Sequence, residues 1–265
     1  MIQYNRELQN IDEPNKAYLL GLLFADGSIS VKYGEIKCYL KDTNLIEKLH
    51  EEFKFFRTYY KRHYYGIQSG NKKLAIDLYN NGLLPNKSSI NKELMNLPFI
   101  NDLTSHFVRG YFDGDGGCTL TFSNNKTQKR VYIYSNSFNF LNEISKYLLI
   151  NNIENKISKS PDCYKLTIST SSYLNFYNLI YLDNTIYLDR KKLLFEEILK
   201  TNIFKKIKTP ICKFCNCEHT VADGYYRYKS IVERRILCNS CKRHFNIALN
   251  NSDVINAEDE LLETP

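Results

Sequence analysis

Hydrophobic and polar positions follow the same order twice within the first 200 residues of the chain. The segments around residues 14–26 and 105–115 have apolar positions at helical spacing, and both end in Asp-Gly. Alternating polar and apolar residues follow each of them, which predicts strands joined by a turn. A second helix, further strands and a third helix complete each half. The pattern therefore predicts an α+β chain that contains two copies of one structural unit.

Residues with strong positional preferences set the predicted ends of the helices. Asp12 is expected to cap the first helix, which has Pro14 in its first turn and ends at Gly27. Asp42 or Thr43 is expected to cap the second helix in the same way. These signals divide the first half into elements of ordinary length.

The composition is that of a globular protein with an uneven charge distribution. The chain has 265 residues, of which 43% are hydrophobic and 25% charged. Residues 1–252 contain all 36 Lys and Arg residues but only 24 of the 29 acids, which leaves a net charge of +12. This excess favours a polyanionic partner, although a solvated lysine-rich surface explains it equally well.

The longest uncharged apolar run near the start of the chain covers residues 17–25 and stops at Asp26. This run is too short to span a bilayer as a helix. The first ten residues lack the basic-then-apolar order of a signal peptide. We therefore expect an intracellular protein, in the cytoplasm or nucleoid of its host, that is neither secreted nor bound to a membrane.

The two segments that end in Asp-Gly align residue by residue, 89 positions apart. LLGLLFADG ends at Asp26-Gly27, and VRGYFDGDG ends at Asp115-Gly116. An acid in the last turn faces the negative end of the helix dipole, so stability alone favours Lys or Arg there. One such acid fits the ordinary capping of a following turn. The repeated pair instead favours metal binding.

This pair of segments resembles the LAGLIDADG homing endonuclease family in its single-chain, two-motif form. The resemblance covers residues 14–200 and includes the segment GLLPNKS at residues 82–88. It implies two pseudo-twofold-related αββαββα repeats, at residues 1–98 and 99–205, that form a saddle-shaped antiparallel sheet. The second segment departs from the apolar character of the motif at Arg109, which we expect to face outward.

Glycine in both segments permits the chemistry that the resemblance implies. Gly21 and Gly110 lack side chains where two helices could cross, so their backbones could approach closely. Close approach would bring Asp26 and Asp115 together, and two adjacent carboxylates repel unless a cation lies between them. Oxygen ligands beside a phosphate favour Mg²⁺. Asp26 and Asp115 are thus the predicted metal ligands and catalytic residues.

A lysine near each metal site usually supports this chemistry in the family, by polarising water or neutralising charge at phosphorus. The position in each repeat favours Lys87 in the first half and Lys191 in the second, with Arg190 as the alternative to Lys191. The ordinary alternative is a lysine near a helix start that only faces solvent.

The strands of both halves are expected to lie along the major groove of double-stranded DNA, over a long target site. Some basic side chains would contact phosphates and others would read bases, while the alternative for each is the wet face of a half-buried strand. The candidates in the repeats are Lys32, Lys37, Lys41, Lys61, Arg62, Lys126, Lys129 and Arg130.

Five of the eight cysteines fall within residues 212–241. Cys212 and Cys215 form one C-x2-C pair, Cys238 and Cys241 form another, and 22 residues separate the pairs. This is the ligand spacing of a structural four-cysteine zinc site. Replacement of Cys215 by Cys217, or of a cysteine by His219 or His244, remains open.

The segment from Cys212 to Phe245 also resembles the zinc ribbons of transposase-associated DNA-binding proteins. We expect a zinc-ribbon module at residues 209–248 and an acidic tail at 249–265. The ribbon would bind Zn²⁺ and extend the DNA contact through Arg227, Lys229, Arg234 and Arg235.

The prediction for the whole chain is a Mg²⁺-dependent, site-specific endonuclease that cuts both strands of DNA. It would be a monomer with internal pseudo-twofold symmetry, encoded in an intron or by a phage. The alternative is a relative of the same fold that binds DNA or RNA without cutting, as a transcription regulator or an intron maturase.

Overall fold

The computed structural model describes residues 8–61, 64–85, 96–123, 126–182, 184–203, 210–228 and 231–248. The chain folds into two compact units. The first comprises Met1–Thr119 and Arg130–Phe195, and the second comprises Leu120–Lys129 and Glu196–Pro265. Both predicted repeats contribute most of their elements to the first unit. The predicted domain bounds remain predictions.

The first half of the chain forms one mixed αβ unit. Its elements are α1 (Pro14–Asp26), β1 (Gly27–Ser30), β2 (Glu35–Leu40), α2 (Thr43–Glu52), β3 (Arg57–Lys61), β4 (Tyr64–Ser69) and α3 (Lys72–Asn80). The four strands form an antiparallel sheet in the order β1-β2-β4-β3.

The second half repeats this arrangement. Its elements are α4 (Thr104–Asp115), β5 (Gly116–Ser123), β6 (Lys126–Ser135), α5 (Phe138–Ile150), β7 (Asn155–Lys159), β8 (Tyr164–Ile168), α6 (Tyr173–Tyr181) and α7 (Asp189–Ile203). The strand order is β5-β6-β8-β7, which matches the order in the first half. The internal repeat and the α+β class predicted from the sequence are confirmed.

Helices α1 and α4 pack directly on each other and form the centre of the first unit. Every residue of α1 from Ala17 to Phe24 is buried. A helix that is buried on all sides explains why this stretch is almost continuously apolar. Within the described residues, no helix has the length and apolar character needed to cross a membrane.

Two glycines allow this packing. A Cβ atom added at Gly21 would overlap the backbone of Phe107 and lie 2.9 Å from the Tyr111 nitrogen. A Cβ added at Gly110 would overlap the Tyr18 carbonyl and lie 2.8 Å from the Leu22 nitrogen. Phe107 and Tyr111 occupy the positions in α4 that Tyr18 and Leu22 occupy in α1. The crossing therefore has pseudo-twofold symmetry.

Each sheet has one buried face and one accessible face. In the first sheet Ile36, Cys38 and Ile67 are fully buried, and the residues between them along the strands are partly or fully accessible. In the second sheet Ile133 and Leu166 are fully buried in the same way. The alternation follows from the twofold period of a strand and leaves one face of each sheet open to a ligand.

Two details of the helix starts differ from the sequence prediction. Glu13, not Asp12, is the N-cap residue of α1, and the Asp12 carboxylate accepts a hydrogen bond of 2.7 Å from Lys16 Nζ instead. Asp42 is the N-cap residue of α2, but its side chain does not cap the helix. Its Oδ2 instead accepts a hydrogen bond from Arg190 Nε at 3.0 Å. The side chain does not cap the helix because this ion pair competes with the backbone N–H groups for the same carboxylate.

The prediction for Arg109 is wrong. Its side chain does not face outward but is fully buried against the ring of Tyr18, with the guanidinium carbon 4.9 Å from the ring centroid. Arg109 Nε donates to the Ile186 carbonyl at 3.0 Å. The polar residue is tolerated in the core because backbone carbonyls and an aromatic face satisfy most of its charge.

The described cysteine-rich part of the second unit is a small antiparallel sheet. Strands β9 (Thr220–Tyr228), β10 (Ile231–Cys238) and β11 (His244–Ala248) pair in the order β11-β10-β9. Among its described residues, Cys212, Ile236, Cys238 and Phe245 form a buried apolar cluster, and Thr220 is also buried. Small three-stranded sheets commonly rely on an added cross-link or metal for stability.

We expect the crossing of α1 and α4 to depend strictly on its glycines. Gly21→Ala should lower the free energy of unfolding by about 2 kcal/mol or more, because the new methyl group meets backbone that cannot move aside. Gly70→Ala is the matched control, since a Cβ there would have no heavy atom within 4 Å. Urea denaturation of both variants measures the effect, and equal stability of the two would contradict the assignment.

Candidate active site

Asp26 and Asp115 end the two crossing helices. Each is the last residue of its helix, and the following glycine donates its backbone N–H to a carbonyl of the last turn, at Leu23 or Phe112. Asp26 is exposed and Asp115 is half-buried. Neither helix has a basic residue in its own last turn, so both ends favour a cation supplied from elsewhere.

The carboxylate of Asp26 lies against the neighbouring helix. A Cβ added at Gly114 would be 3.1 Å from Asp26 Oδ2 and would overlap the side chain of Ala25. The pKa of the Tyr111 hydroxyl is well above the ordinary value. Burial makes the largest contribution to this rise, and the negative charges of Asp115 and Asp26 add to it. The structure thus brings Asp26 and Asp115 to one end of the helix pair.

Lys191 binds the end of α4. Its side chain is 6% exposed, and the three N–H groups of Nζ are shared among four carbonyl oxygens, those of Phe112 and Asp113 at 2.7 Å, Gly114 at 3.2 Å and Gly116 at 2.5 Å. These are carbonyls at the helix end, which ordinarily lack partners within the helix. Burial lowers the pKa of Lys191 to about 8, although the negative charge of Asp113 opposes this shift. The amine is therefore mainly protonated at neutral pH.

Asp113 is buried behind the helix end and holds three donors. Its oxygens accept from the Tyr181 hydroxyl at 2.6 Å, the Leu188 backbone nitrogen at 2.8 Å and the Tyr18 hydroxyl at 2.9 Å. Burial raises the pKa of this carboxyl, and the bond from Tyr181 opposes the shift. Because Tyr18 belongs to α1 and Leu188 precedes α7, the carboxylate joins three segments of the first unit.

The accessible face of the first sheet carries a row of polar side chains in register across all four strands. The row consists of Ser28, Lys37, Gln68 and Arg57. Lys37 Nζ forms a salt bridge of 2.9 Å with Glu35 on the same strand. Side chains of this kind can donate to base edges and phosphates in a groove of DNA.

The accessible face of the second sheet is built from tyrosine and lysine. Lys165 Nζ lies 4.2 Å from the ring centroid of Tyr132 and 5.4 Å from that of Tyr134. Lys156 and Ser158, opposite Thr167 and Lys165 on the neighbouring strand, are exposed. Both sheets therefore present basic and aromatic groups on their open faces.

The predicted basic residues fall into three groups, which are those with a defined exposure, those placed on a strand, and those outside the described residues. Lys32 and Lys41 are exposed near the strands of the first sheet, Arg130 is exposed on β6, and Lys129 beside it is half-buried. Arg235 is exposed on β10. Four candidates lie on described strands, β3, β6, β9 and β10, and they are Lys61, Lys126, Arg227 and Arg234. Three candidates lie outside the described residues, and they are Arg62, Lys87 and Lys229.

The four cysteines predicted as zinc ligands lie together. The sulfurs of Cys212, Cys215, Cys238 and Cys241 are all within 4.8 Å of one another. Sγ–Sγ distances are 3.7 Å for Cys212–Cys241 and 3.6 Å for Cys215–Cys238. A tetrahedral ZnS₄ centre with Zn–S bonds of about 2.3 Å has an S–S edge of about 3.8 Å, so this set fits zinc.

The two C-x2-C segments have the same backbone geometry. In each, the residue after the second cysteine, Asn216 or Lys242, has a positive φ and donates its N–H to the carbonyl of the first cysteine at 2.9 Å. Burial by itself raises the pKa of the Cys212 thiol. Hydrogen bonds from N–H groups of the loop and from neighbouring thiols outweigh this effect and lower the pKa to about 7. Each loop thus favours the thiolate of its first cysteine, Cys212 or Cys238, whereas the pKa values of Cys215 and Cys241 are raised.

Cys217 lies close to this group without matching its symmetry. Its Sγ is 3.3 Å from that of Cys238. Its carbonyl accepts from the Cys212 nitrogen at 2.9 Å, and the equivalent bond in the second loop is accepted by the Arg243 carbonyl from the Cys238 nitrogen at 3.0 Å. Cys217 therefore occupies the position of a residue that is not a cysteine in the other loop. His219 and His244 are outside the four-sulfur group that the described residues form.

Comparison with known proteins agrees with this architecture. Residues 102–181, which contain α4, both hairpins of the second half and α6, match the family model described as a LAGLIDADG-like domain. These residues therefore resemble this domain, and we call residues 102–181 the LAGLIDADG-like segment. No curated protein matches the sequence.

Solved structures similar to the chain include DNA complexes of nucleases. The LAGLIDADG meganuclease I-AabMI, bound to uncleaved DNA, is 13% identical, and the match covers 73% of this chain and 91% of that one with a TM-score of 0.51. The homing endonuclease I-WcaI, bound to its DNA recognition sequence, is 18% identical over 74% of this chain and 88% of that one, with a TM-score of 0.49. The likeness to I-AabMI shows that the chain has this meganuclease fold.

Within the LAGLIDADG-like segment, sequence reasoning missed both Asp113 and the burial of Arg109. The two residues are four apart on α4, where the equivalent positions of α1 are Phe24 and Leu20. Polar residues at two positions that are apolar in the sister helix are the signal that could have revealed a buried network. Other residues that were missed, on the open sheet faces, follow the twofold alternation of their strands and could have been found from it; they are Arg57, Gln68, Lys156 and Lys165.

We expect Lys191 to stabilise the first unit at the end of α4. Lys191→Met should lower the free energy of unfolding by about 3 kcal/mol, because it removes a buried ammonium from which several carbonyls at the helix end accept hydrogen bonds. Of these, the Phe112 carbonyl keeps the bond from the Gly116 N–H. Lys192→Met is the matched control, since Lys192 is half-buried and its Nζ lies over the Tyr187 ring at 4.1 Å. The control should lose about 1 kcal/mol or less. Chemical denaturation of both variants decides the matter, and similar losses would argue against the assignment.

Proposed function

We propose that the chain is a metal-dependent, site-specific endonuclease that hydrolyses phosphodiester bonds in both strands of DNA. The observation that carries this proposal is the pair Asp26 and Asp115 at the ends of two helices in close backbone contact through Gly21 and Gly110. Each acid is followed by strands whose open face is basic and aromatic. The combination supports a site that holds a metal against the backbone of DNA.

The donor set fits a hard divalent cation. Asp26 and Asp115 offer carboxylate oxygens, and the negative ends of two helix dipoles point the same way. Gly114 leaves room for the Asp26 carboxylate beside the partner helix. Mg²⁺, when bound, would lower the pKa of an attacking water and stabilise the leaving 3′ oxygen.

The residues of the chain supply position and charge. The glycine crossing keeps the two carboxylates adjacent, so that each can serve one strand of the duplex. Lys191 holds the carbonyls on both sides of Asp115 and so fixes the direction of that carboxylate. Because its ammonium is already surrounded by carbonyl oxygens, we assign Lys191 a positioning role rather than contact with phosphate. Lys87 remains the predicted basic residue of the first half.

The open sheet faces would bind the duplex. The row of Ser28, Lys37, Gln68 and Arg57 offers groups that can donate to bases, and Arg57 and Lys37 can also reach phosphates. Lys165 and Lys156 would act in the same way on the second sheet. Two similar sheets favour a long, imperfectly symmetric target that one monomer can cover.

We propose that Cys212, Cys215, Cys238 and Cys241 hold a structural Zn²⁺ in a ribbon that adds to the DNA contact. The tetrahedral spacing of the sulfurs and the matched backbone of the two loops support this assignment. The intracellular, intron- or phage-encoded origin predicted from the sequence remains a prediction.

We expect Asp26→Asn to lower DNA cleavage by about 100-fold or more while DNA binding persists, because the amide cannot replace a metal-binding carboxylate. The protein is incubated with a pool of long random-sequence duplexes and Mg²⁺, and with Ca²⁺ in a parallel reaction. Asp12→Asn is the control, since Asp12 is an exposed acid paired with Lys16. Defined breaks that need Mg²⁺ and vanish in Asp26→Asn support the endonuclease. Tight binding without cutting by the unaltered chain would instead favour the regulator or maturase.

We expect Cys238→Ser to abolish zinc binding and Cys217→Ser to retain it. Loss of one of four thiolate ligands removes the folding energy that the metal supplies to so small a core. Metal content per chain and hydrogen exchange in β9, β10 and β11 are measured for both variants. Retention of zinc by Cys238→Ser, or its loss from Cys217→Ser, would overturn the ligand set.

A further inference from the structure

An exposed phenylalanine marks the first cysteine loop. Phe214 lies between Cys212 and Cys215 and is 46% exposed, although a residue of this type usually belongs in the core. Its ring contacts Phe245 edge-on, with the centroids 6.2 Å apart. Phe245 is 6% exposed and belongs to the buried cluster of the sheet. Phe214 is therefore held in a defined place by the core while much of its surface faces solvent.

Two cations lie over this aromatic pair. Lys213 Nζ is 5.4 Å from the Phe214 centroid and 5.7 Å from that of Phe245. The guanidinium carbon of Arg243, from the second cysteine loop, is 5.4 Å from the Phe214 centroid. Both cysteine loops thus contribute to one surface, which we call the knuckle surface and define by Lys213, Phe214 and Arg243.

The knuckle surface carries positive charge that no salt bridge among the described residues neutralises. Among the residues that the structure describes, neither Lys213 nor Arg243 forms a salt bridge. Within the same described part of the chain, Lys242, next to Arg243, is also exposed and forms none. Cations beside an apolar ring suit a groove of duplex DNA, where phosphates line both edges and an apolar side chain can insert between base steps.

The position of the cations favours duplex over single-stranded DNA. Base stacking on a single strand needs an open face of the ring. Since cations lie over Phe214, a ligand meets mainly the free edge of its ring. An edge can enter a minor groove as an apolar wedge, while the flanking cations reach the phosphates on either side.

We infer that the knuckle surface binds duplex DNA in the minor groove, with Phe214 as the wedge and Lys213 and Arg243 on phosphates. These three residues are not among the basic residues predicted for the ribbon from the sequence, which are Arg227, Lys229, Arg234 and Arg235. The inference rests on the proposed function for its partner, DNA, but it requires no cleavage.

The test uses the full, zinc-loaded chain and a fluorescent duplex of mixed sequence, about 40 base pairs long, with Ca²⁺ present so that cutting is not needed. Phe214→Ala should bind the duplex about tenfold more weakly than the unaltered chain, because the variant lacks the apolar side chain that would be buried in the groove. The salt dependence of this variant should be unchanged. Lys213→Gln with Arg243→Gln should lower the slope of log K against log salt by about 1.8, or about 0.9 for each lost phosphate contact.

Matched controls separate the knuckle surface from general effects. Ile150→Ala removes an exposed apolar side chain on α5, and Lys73→Gln removes an exposed charge on α3. Both should bind like the unaltered chain with an unchanged salt slope. Distamycin, which fills the minor groove, should weaken binding by the unaltered chain and have little further effect on Phe214→Ala.

Two results would overturn the inference. One is that Phe214→Ala and the double variant bind the duplex as well as the controls do. The other is that their loss is confined to a single-stranded probe of the same sequence. Because binding is measured without cleavage, an inactive but DNA-binding chain would refute the proposed endonuclease and leave this inference standing.

Discussion

The close crossing of α1 and α4 is the constraint on which the first unit depends. Gly21 and Gly110 let each backbone lie where the other helix would otherwise meet a side chain. The crossing fixes the pseudo-twofold relation of the two halves and brings both helix ends to one place. Everything proposed for Asp26 and Asp115 follows from that proximity, because separate helices would offer each cation only one carboxylate.

The two halves share a fold but support their carboxylates differently. Asp113, a buried residue of α4, accepts hydrogen bonds from Tyr18, Tyr181 and the Leu188 nitrogen, and Lys191 binds carbonyls of the last turn of α4. In α1 the positions equivalent to Asp113 and Arg109 are apolar. A buried network of this kind is costly unless its groups are satisfied by hydrogen bonds. The halves therefore share the backbone, the glycines and the two helix-end acids, but differ at the positions of Asp113 and Arg109.

The cysteine-rich part of the second unit is organised around sulfur. Among its described residues, the buried apolar cluster includes two cysteines of the sulfur group, Cys212 and Cys238. The matched loops around Cys212 and Cys238 orient backbone N–H groups toward sulfur, as Phe214 does toward Cys212 and Cys241 toward Cys238, both at 3.4 Å. Such loops support thiolates, and they also turn Lys213, Phe214 and Arg243 outward. One arrangement could thus provide both stability and a DNA-binding surface.

The sequence by itself determined the features that depend on local order. The repeat, the hairpins, the Asp-Gly helix ends and the grouping of four cysteines all follow from periodicity and spacing over short stretches. Only the tertiary structure decided where long polar side chains go. Lys191 meets the carbonyl of Phe112, 79 residues away, and Arg109 meets that of Ile186, 77 residues away. A flexible side chain can turn to solvent or to a distant backbone, and the choice depends on packing that no local pattern contains.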